Sequence, residues 1–312
     1  ASFVRPFTAI AQTATQVLAI RVTDRVGKGL RSSPRDALLA DSVDPSQRGR
    51  AFGFHAAADN AGAVLGPLVA FALIKWGGFS LRSVFWIAAI PAIIAFIVLI
   101  VAVKEDNASV PNKTVKTEKA EFGGKLGRKF WAYLVVLLLF TLGNSTDAFL
   151  LLRANQLGIS VALAPVVWAF LNLVKTSTGV LGGALSDKFG RKPLIVGGWL
   201  LYAAVYYGFS RASTSWHAWA LFAAYGIFYG MTEGVEKALV ADVVPAHRRG
   251  AAFGWFNLAI GLGALPASLM FGAIWDRSGA PNAFLFGAAL ALLAAVGLLF
   301  FVPIGRRSPV TA

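Results

Sequence analysis

The chain has 312 residues, of which 57% are hydrophobic and only 14% charged, with a mean hydropathy of +0.65. An ordinary soluble domain, with roughly a quarter of its residues charged, is excluded. Absence of cysteine excludes disulfides, thiol ligands and thiol catalysis, and the net charge of +14, which in a soluble chain would suggest nucleic acid, needs another account. Runs such as 83–103 and 282–302 carry no charge over about 20 residues, the length that crosses ~30 Å of hydrocarbon as a helix. They lack the alternation of barrel strands, so the expectation is an all-α, polytopic membrane protein.

In chain order, "ASFVRPFTAI" reads as the tail of one spanning helix, and spans are expected at 13–41, 49–74, 83–103, 130–152, 161–185, 193–210, 216–241, 251–274 and 282–303. Residues 104–129 are polar and interrupted by Pro and Gly, so they read as a linker between an N-terminal part, 1–103, and a C-terminal part, 130–312. Assigning the loops alternately puts sixteen basic residues on one side, including those of the linker, and five on the other. The basic side is expected to be cytoplasmic, with the linker and C-terminus facing inward from the inner (plasma) membrane. The excess charge is thus a topology signal.

"ALLADSVDPSQRGRAFGF" (37–54) aligns without a gap on "ALVADVVPAHRRGAAFGW" (238–255), ten of 18 positions being identical at an offset of 201. Such a repeat is a signature of transporters built from two similar halves. Subtracting the offset from the linker's end places the expected start of the first half about 70 residues ahead of Ala1. On that arithmetic, two and a half helices precede the chain as given.

"GALSDKFGRK" (183–192) resembles the loop motif Gly-x-x-x-Asp-(Arg/Lys)-x-Gly-Arg-(Arg/Lys) of the major facilitator superfamily, in Gly183, Asp187, Lys188, Gly190, Arg191 and Lys192. Arg25 to Gly29 is similar to the family's fourth-helix Arg-x-x-x-Gly element. "GAVLGP" (62–67) resembles the fifth-helix antiporter motif but departs from it at Val69 and Ala70. The resemblance implies two pseudo-symmetric six-helix bundles, the first incomplete, with about nine full helices present, in the drug/proton antiporter-like exporter branch. It also implies a monomer that takes a small-molecule substrate and protons in a lipid bilayer, with no cofactor.

Asp187 is expected at the N-terminus of the helix beginning near residue 250, the fold's eleventh, where the helix dipole favours a carboxylate. Arg191 would then reach Asp242 as a latch. In the first span, Arg21, Arg25, Lys28, Arg31 and Arg35 fall within an arc of about 120°. Charges in hydrocarbon are expensive, so this face should meet water, protein or an anion, and it favours an anionic substrate. Internal pairing with carboxylates is the other account of the stripe. Pro34 should bend or loosen the helix. At the repeat offset Arg35 corresponds to Glu236 and Asp36 to Lys237, so Arg35–Glu236 and Asp36–Lys237 pairs are expected to close a cytoplasmic gate.

The remaining intramembrane polar residues, His55, Asp59, Asp147, Lys175, Tyr229 and Glu233, join Arg25 and Lys28 as candidate substrate and proton pathway. Asp59 and Glu233 are the proton candidates. Asn144, Asn172 and Tyr225 extend the same rows, and any of these residues could equally be a helix–helix hydrogen-bonding group. Glycines at 182–183 and 261–263 should allow close helix approach. There is no phosphate-binding Walker loop, no zinc-ligand motif and no nucleophile elbow, and only three histidines. The expectation is a non-enzymatic secondary transporter, a proton-coupled exporter working by alternating access without a metal. The other class in play is a transporter-like sensor or scaffold.

Overall fold

The computed structural model describes residues 5–102 and 126–302. The expected linker basics at 104–125, together with Arg306 and Arg307, lie outside the described residues, as does the side chain of Arg21. Eleven α-helices and no strands occur among the described residues: α1 (Ala14–Asp41), α2 (Arg48–Lys75), α3 (Leu81–Ile87), α4 (Ala89–Ala102), α5 (Gly127–Gly143), α6 (Ala148–Gln156), α7 (Ala164–Phe189), α8 (Arg191–Arg211), α9 (Ser215–Val243), α10 (Arg249–Ser278) and α11 (Ala280–Phe301).

Each expected span coincides with helix, but two are broken. The span 83–103 divides at Ala88, because Pro91 has no N–H to bond the carbonyl of Ile87. The span 130–152 divides between Gly143 and Ala148. There "NSTD" supplies four residues whose side chains compete with helical backbone bonding, and Asn144 leaves helical geometry at φ −99°, ψ 88°. Pro34, by contrast, is carried inside a continuous α1. Among the described residues six helical segments are long and apolar enough to cross a membrane; α1, interrupted by charges, and α9, rich in Trp, Tyr and Gly, are long enough but less apolar.

The chain forms two compact units, residues 1–32 with 67–125 and residues 33–66 with 126–312. In the first, a turn at Arg5–Ala9 packs on α3, and α4 continues from α3. The second holds α5 to α11 together with residues 33–41 of α1 and 48–66 of α2. Within it α7 packs along α9, α8 lies between α9 and α11, and α5 packs on α10 and α11. Two single-residue corners make this possible. Gly190 (φ +98°) joins α7 to α8 and Gly279 (φ +84°) joins α10 to α11, both in the left-handed region that glycine enters without a Cβ clash. An aromatic column fills the core: Phe140 stacks on Trp199 at 4.5 Å, Tyr202 on Tyr206 at 4.1 Å and Phe209 on Phe284 at 5.3 Å.

Candidate functional site: a charged clasp and a polar box

The two copies of the repeat fold alike, each a helix end, a 3₁₀ turn (Pro45–Gln47 or Ala246–Arg248) and a new helix start. Arg48 opens α2 and Arg249 opens α10. Each guanidinium turns back on its own copy, Arg48 Nε donating to the Ala40 carbonyl at 3.1 Å and Arg249 Nε to the Ala241 carbonyl at 3.2 Å. Each also reaches the carboxylate of the other copy: Arg48 Nη1 lies 2.9 Å from Asp242, and Arg249 pairs with Asp41. The repeat mates Phe52 and Phe253 meet beside them with centroids 5.9 Å apart.

The loop motif docks on this clasp. Arg191, buried, pairs with Asp187 and with Asp242 at 3.3 Å, and donates to Ser186 Oγ at 2.7 Å. The expected Arg191–Asp242 contact is therefore formed. Asp187 goes elsewhere than expected. Its two oxygens accept the backbone N–H groups of Gly49 at 3.0 Å and Arg50 at 2.8 Å, at the start of α2 rather than of α10. A helix N-terminus offers unbonded donors and the positive end of its dipole, and the α2 start offers both. Close approach underlies this docking: Cβ atoms at Gly49 or Gly183 would run into each other's backbone carbonyls, and one at Gly53 into that of Gly179.

Of the two expected gate pairs, one is present. Lys237 lies 2.9 Å from Asp36, which is wholly buried. The Arg35–Glu236 pair is not formed: Arg35 also turns onto Asp36, at 3.1 Å, and Glu236 accepts the indole N–H of Trp199 at 2.9 Å. A buried carboxylate without a second donor on its own helix draws in both neighbouring cations, which leaves Glu236 to a neutral donor. On the same face Asn257 Nδ2 donates to Ser33 Oγ at 3.1 Å.

Further along α7 and α9 lies a polar box. Lys175 Nζ sits 3.5 Å from the centre of the Tyr229 ring, 5.8 Å from that of Trp168 and 6.0 Å from that of Tyr225. Tyr225 donates to Asp147 at 2.7 Å, and its hydroxyl lies 3.4 Å from that of Tyr229. Glu233 accepts from Asn60 Nδ2 at 3.3 Å, and Asn172 bonds its own helix through the Trp168 carbonyl at 2.8 Å. His55 and Asp59 share a face of α2 at 3.9 Å, with Asp59 exposed; Arg25 and Lys28 are exposed on α1.

Sequence reasoning missed Tyr202 and Tyr206, which with Tyr225 hold the break between α5 and α6. Tyr202 donates to the Gly143 carbonyl at 3.0 Å and reaches Asn144 Oδ1 at 3.4 Å, Tyr206 meets Ser145 Oγ at 3.4 Å, and Tyr225 holds Asp147. Asn, Ser, Thr and Asp in succession after Gly143 were the available signal. The glycine expectation divides: Gly182 and Gly183 abut backbone and Gly263 abuts Thr141, whereas Gly261 has nothing within 4 Å.

A multi-pass helical membrane protein with a repeat-built clasp is what this geometry defines. Two copies of the Major Facilitator Superfamily profile match, over residues 2–176 and 148–312. The chain is 32% identical over 283 residues to an uncharacterised MFS-type transporter of Methanocaldococcus jannaschii, covering 89% of this chain and 70% of that one. It is 29% identical over 162 residues to the multidrug resistance protein MdtH of Yersinia enterocolitica, covering 51% of this chain and 39% of MdtH. Its fold is similar to that of the proton:xylose symporter XylE bound to 6-bromo-6-deoxy-D-glucose, with a TM-score of 0.74 at 20% identity over 93% of this chain and 71% of that one. The chain belongs to the major facilitator superfamily, whose members are membrane transporters and not enzymes.

Proposed function

We propose that the protein is a proton-coupled secondary transporter that exports a small solute by alternating access. The observation that carries this is the reciprocal clasp, in which Arg48 and Arg249 each bridge from one copy of the repeat to the carboxylate of the other. Ion pairs joining repeat-related helix ends are a contact that can be complete in one state and open in another, as a two-state element requires. In this reading Asp187, Arg191 and Asp242 latch the cytoplasmic end. Asp36 and Lys237 form the gate beside them, with Arg35 and Glu236 able to exchange partners as it opens.

The solute pathway runs past His55, Asp59, Asp147, Lys175, Tyr229 and Glu233, and Asp59 and Glu233 carry the proton. Likeness to MdtH over half the chain and the "GAVLGP" stretch support the export direction. The protein works as a monomer in the inner membrane, with parts 1–103 and 130–312 acting as bundles on either side of a cytoplasmic linker. The test is proton flux in proteoliposomes holding the full chain and a pH-sensitive dye, challenged with a panel of organic solutes. Solute-dependent flux that Glu233→Gln abolishes is expected; absence of solute-dependent flux across the panel would favour the sensor or scaffold class.

A further inference from the structure

Lys175 poses a question that transport in general does not answer. Only 7% of the residue is exposed, so its ammonium is taken almost wholly from water. It has three N–H donors, yet no hydrogen-bond acceptor and no carboxylate within ion-pair distance among the described residues. The Tyr229 ring at 3.5 Å, with Trp168 and Tyr225 farther off, returns part of the lost hydration through cation–π attraction but accepts no conventional hydrogen bond. The carboxylates whose fields reach it, Asp147 and Glu233, are each engaged by a neutral donor, the Tyr225 hydroxyl and the Asn60 amide. A buried charge with unused donors is expensive unless something completes it.

We propose, resting on the transport reading above, that Lys175 anchors the carboxylate of an aromatic monoanion, so that the substrate class is organic acids. Trp168, Tyr229, Asp147 and Glu233 are only half-buried, so the box is open on the side these residues line. A cationic ligand is disfavoured, because the ammonium already occupies the Tyr229 face and would repel a second cation. A dianion is disfavoured by Asp147 and Glu233 nearby. A single carboxylate on a planar apolar body fits both the free donors and the aromatic walls.

The test is binding of three isosteric probes to the purified full chain by calorimetry: naphthalene-2-carboxylate, its carboxamide and the corresponding methylamine. The carboxylate should bind at least about tenfold tighter than the amide, the ratio expected of a charge-assisted hydrogen bond. Lys175→Arg should retain that preference and Lys175→Gln should abolish it by lowering carboxylate affinity far more than amide affinity, a result that a purely structural lysine would not give. If Lys175→Gln does not fold, Tyr229→Leu is the second variant, and it should weaken the carboxylate and the amide alike. A carboxylate preference that survives Lys175→Gln, tightest binding of the amine, or binding of none of the three overturns the proposal. Lys175-dependent carboxylate binding without solute flux in proteoliposomes would sink the transport reading and leave the site standing. Flux of other solutes with no carboxylate preference would do the reverse.

Discussion

Arg48 reaches Asp242 at 2.9 Å while its repeat mate Arg249 pairs with Asp41, the repeat mate of Asp242. The two bonds are one interaction written twice, with donor and acceptor copies exchanged. Their surroundings differ: the side chain of Asp242 is 13% exposed and is shared with Arg191, whereas that of Asp41 is 46% exposed.

That asymmetry predicts unequal effects. Arg48→Met keeps the apolar stem but leaves Asp242 short of a partner in a largely buried place, and should destabilise the chain by about 3 kcal/mol. Arg249→Met strands a carboxylate that water already reaches, and should lose closer to about 1 kcal/mol. Thermal melts in detergent should rank Arg48→Met well below Arg249→Met; equal melting temperatures would count against the buried pair as the dominant one.

Asp187 caps α2 through two backbone donors and also pairs with Arg191. Asp187→Asn keeps an acceptor for one N–H and loses the charge; Asp187→Ala loses both. The alanine variant should be less stable than the asparagine variant by about 1 kcal/mol, the usual worth of an N-terminal cap. Denaturant melts of the two variants would measure it. Identical midpoints would mean that the α2 N–H groups find water instead.

Close packing of α2 on α7 gives a third contrast. A Cβ at Gly53 would meet the Gly179 carbonyl, which is backbone and cannot swing aside, whereas one at Gly62 would meet nothing within 4 Å. Gly53→Ala should therefore destabilise by about 1–3 kcal/mol through overpacking. Gly62→Ala should be neutral or stabilising by up to about 1 kcal/mol, because alanine is the better helix former. Comparing the two melting temperatures checks both signs at once.

Much of this was legible in the residue string. The repeat at 37–54 and 238–255 and the glycines at 182–183 followed from spacing and residue type, and the Arg191–Asp242 contact from the resemblance of the loop motif to its family. What spacing could not supply was the choice between twins. Gly49 and Gly250 open helices with the same Arg-Gly start, so no local signal says which one receives Asp187; only the packing of α7 on α2 decides. Glu236 was misassigned for a related reason. Repeat arithmetic pairs it with Arg35, but it ignores Trp199, an indole donor brought in from α8, and the pull of the wholly buried Asp36 on Arg35. The break after Gly143 was written in "NSTD", but the hydropathy around it is high enough to mask four polar residues.

That break yields the last prediction. Three tyrosines hold the break between α5 and α6, one through a backbone carbonyl and two through side chains. Tyr202 serves the backbone, donating to the Gly143 carbonyl at 3.0 Å in a fully buried setting, while Tyr225 serves the Asp147 side chain at 2.7 Å. Tyr202→Phe leaves a buried carbonyl without that donor, which should lower stability by about 1–3 kcal/mol. Tyr225→Phe releases a half-buried carboxylate into a box that holds the Lys175 ammonium, so part of the lost bond is regained by attraction to that cation. The melting temperature should therefore fall more for Tyr202→Phe, whereas binding of naphthalene-2-carboxylate should weaken more for Tyr225→Phe, since a freed Asp147 competes for Lys175. A variant pair that moved stability and binding in parallel would mean that the tyrosines act as packing alone, with the hydroxyls idle.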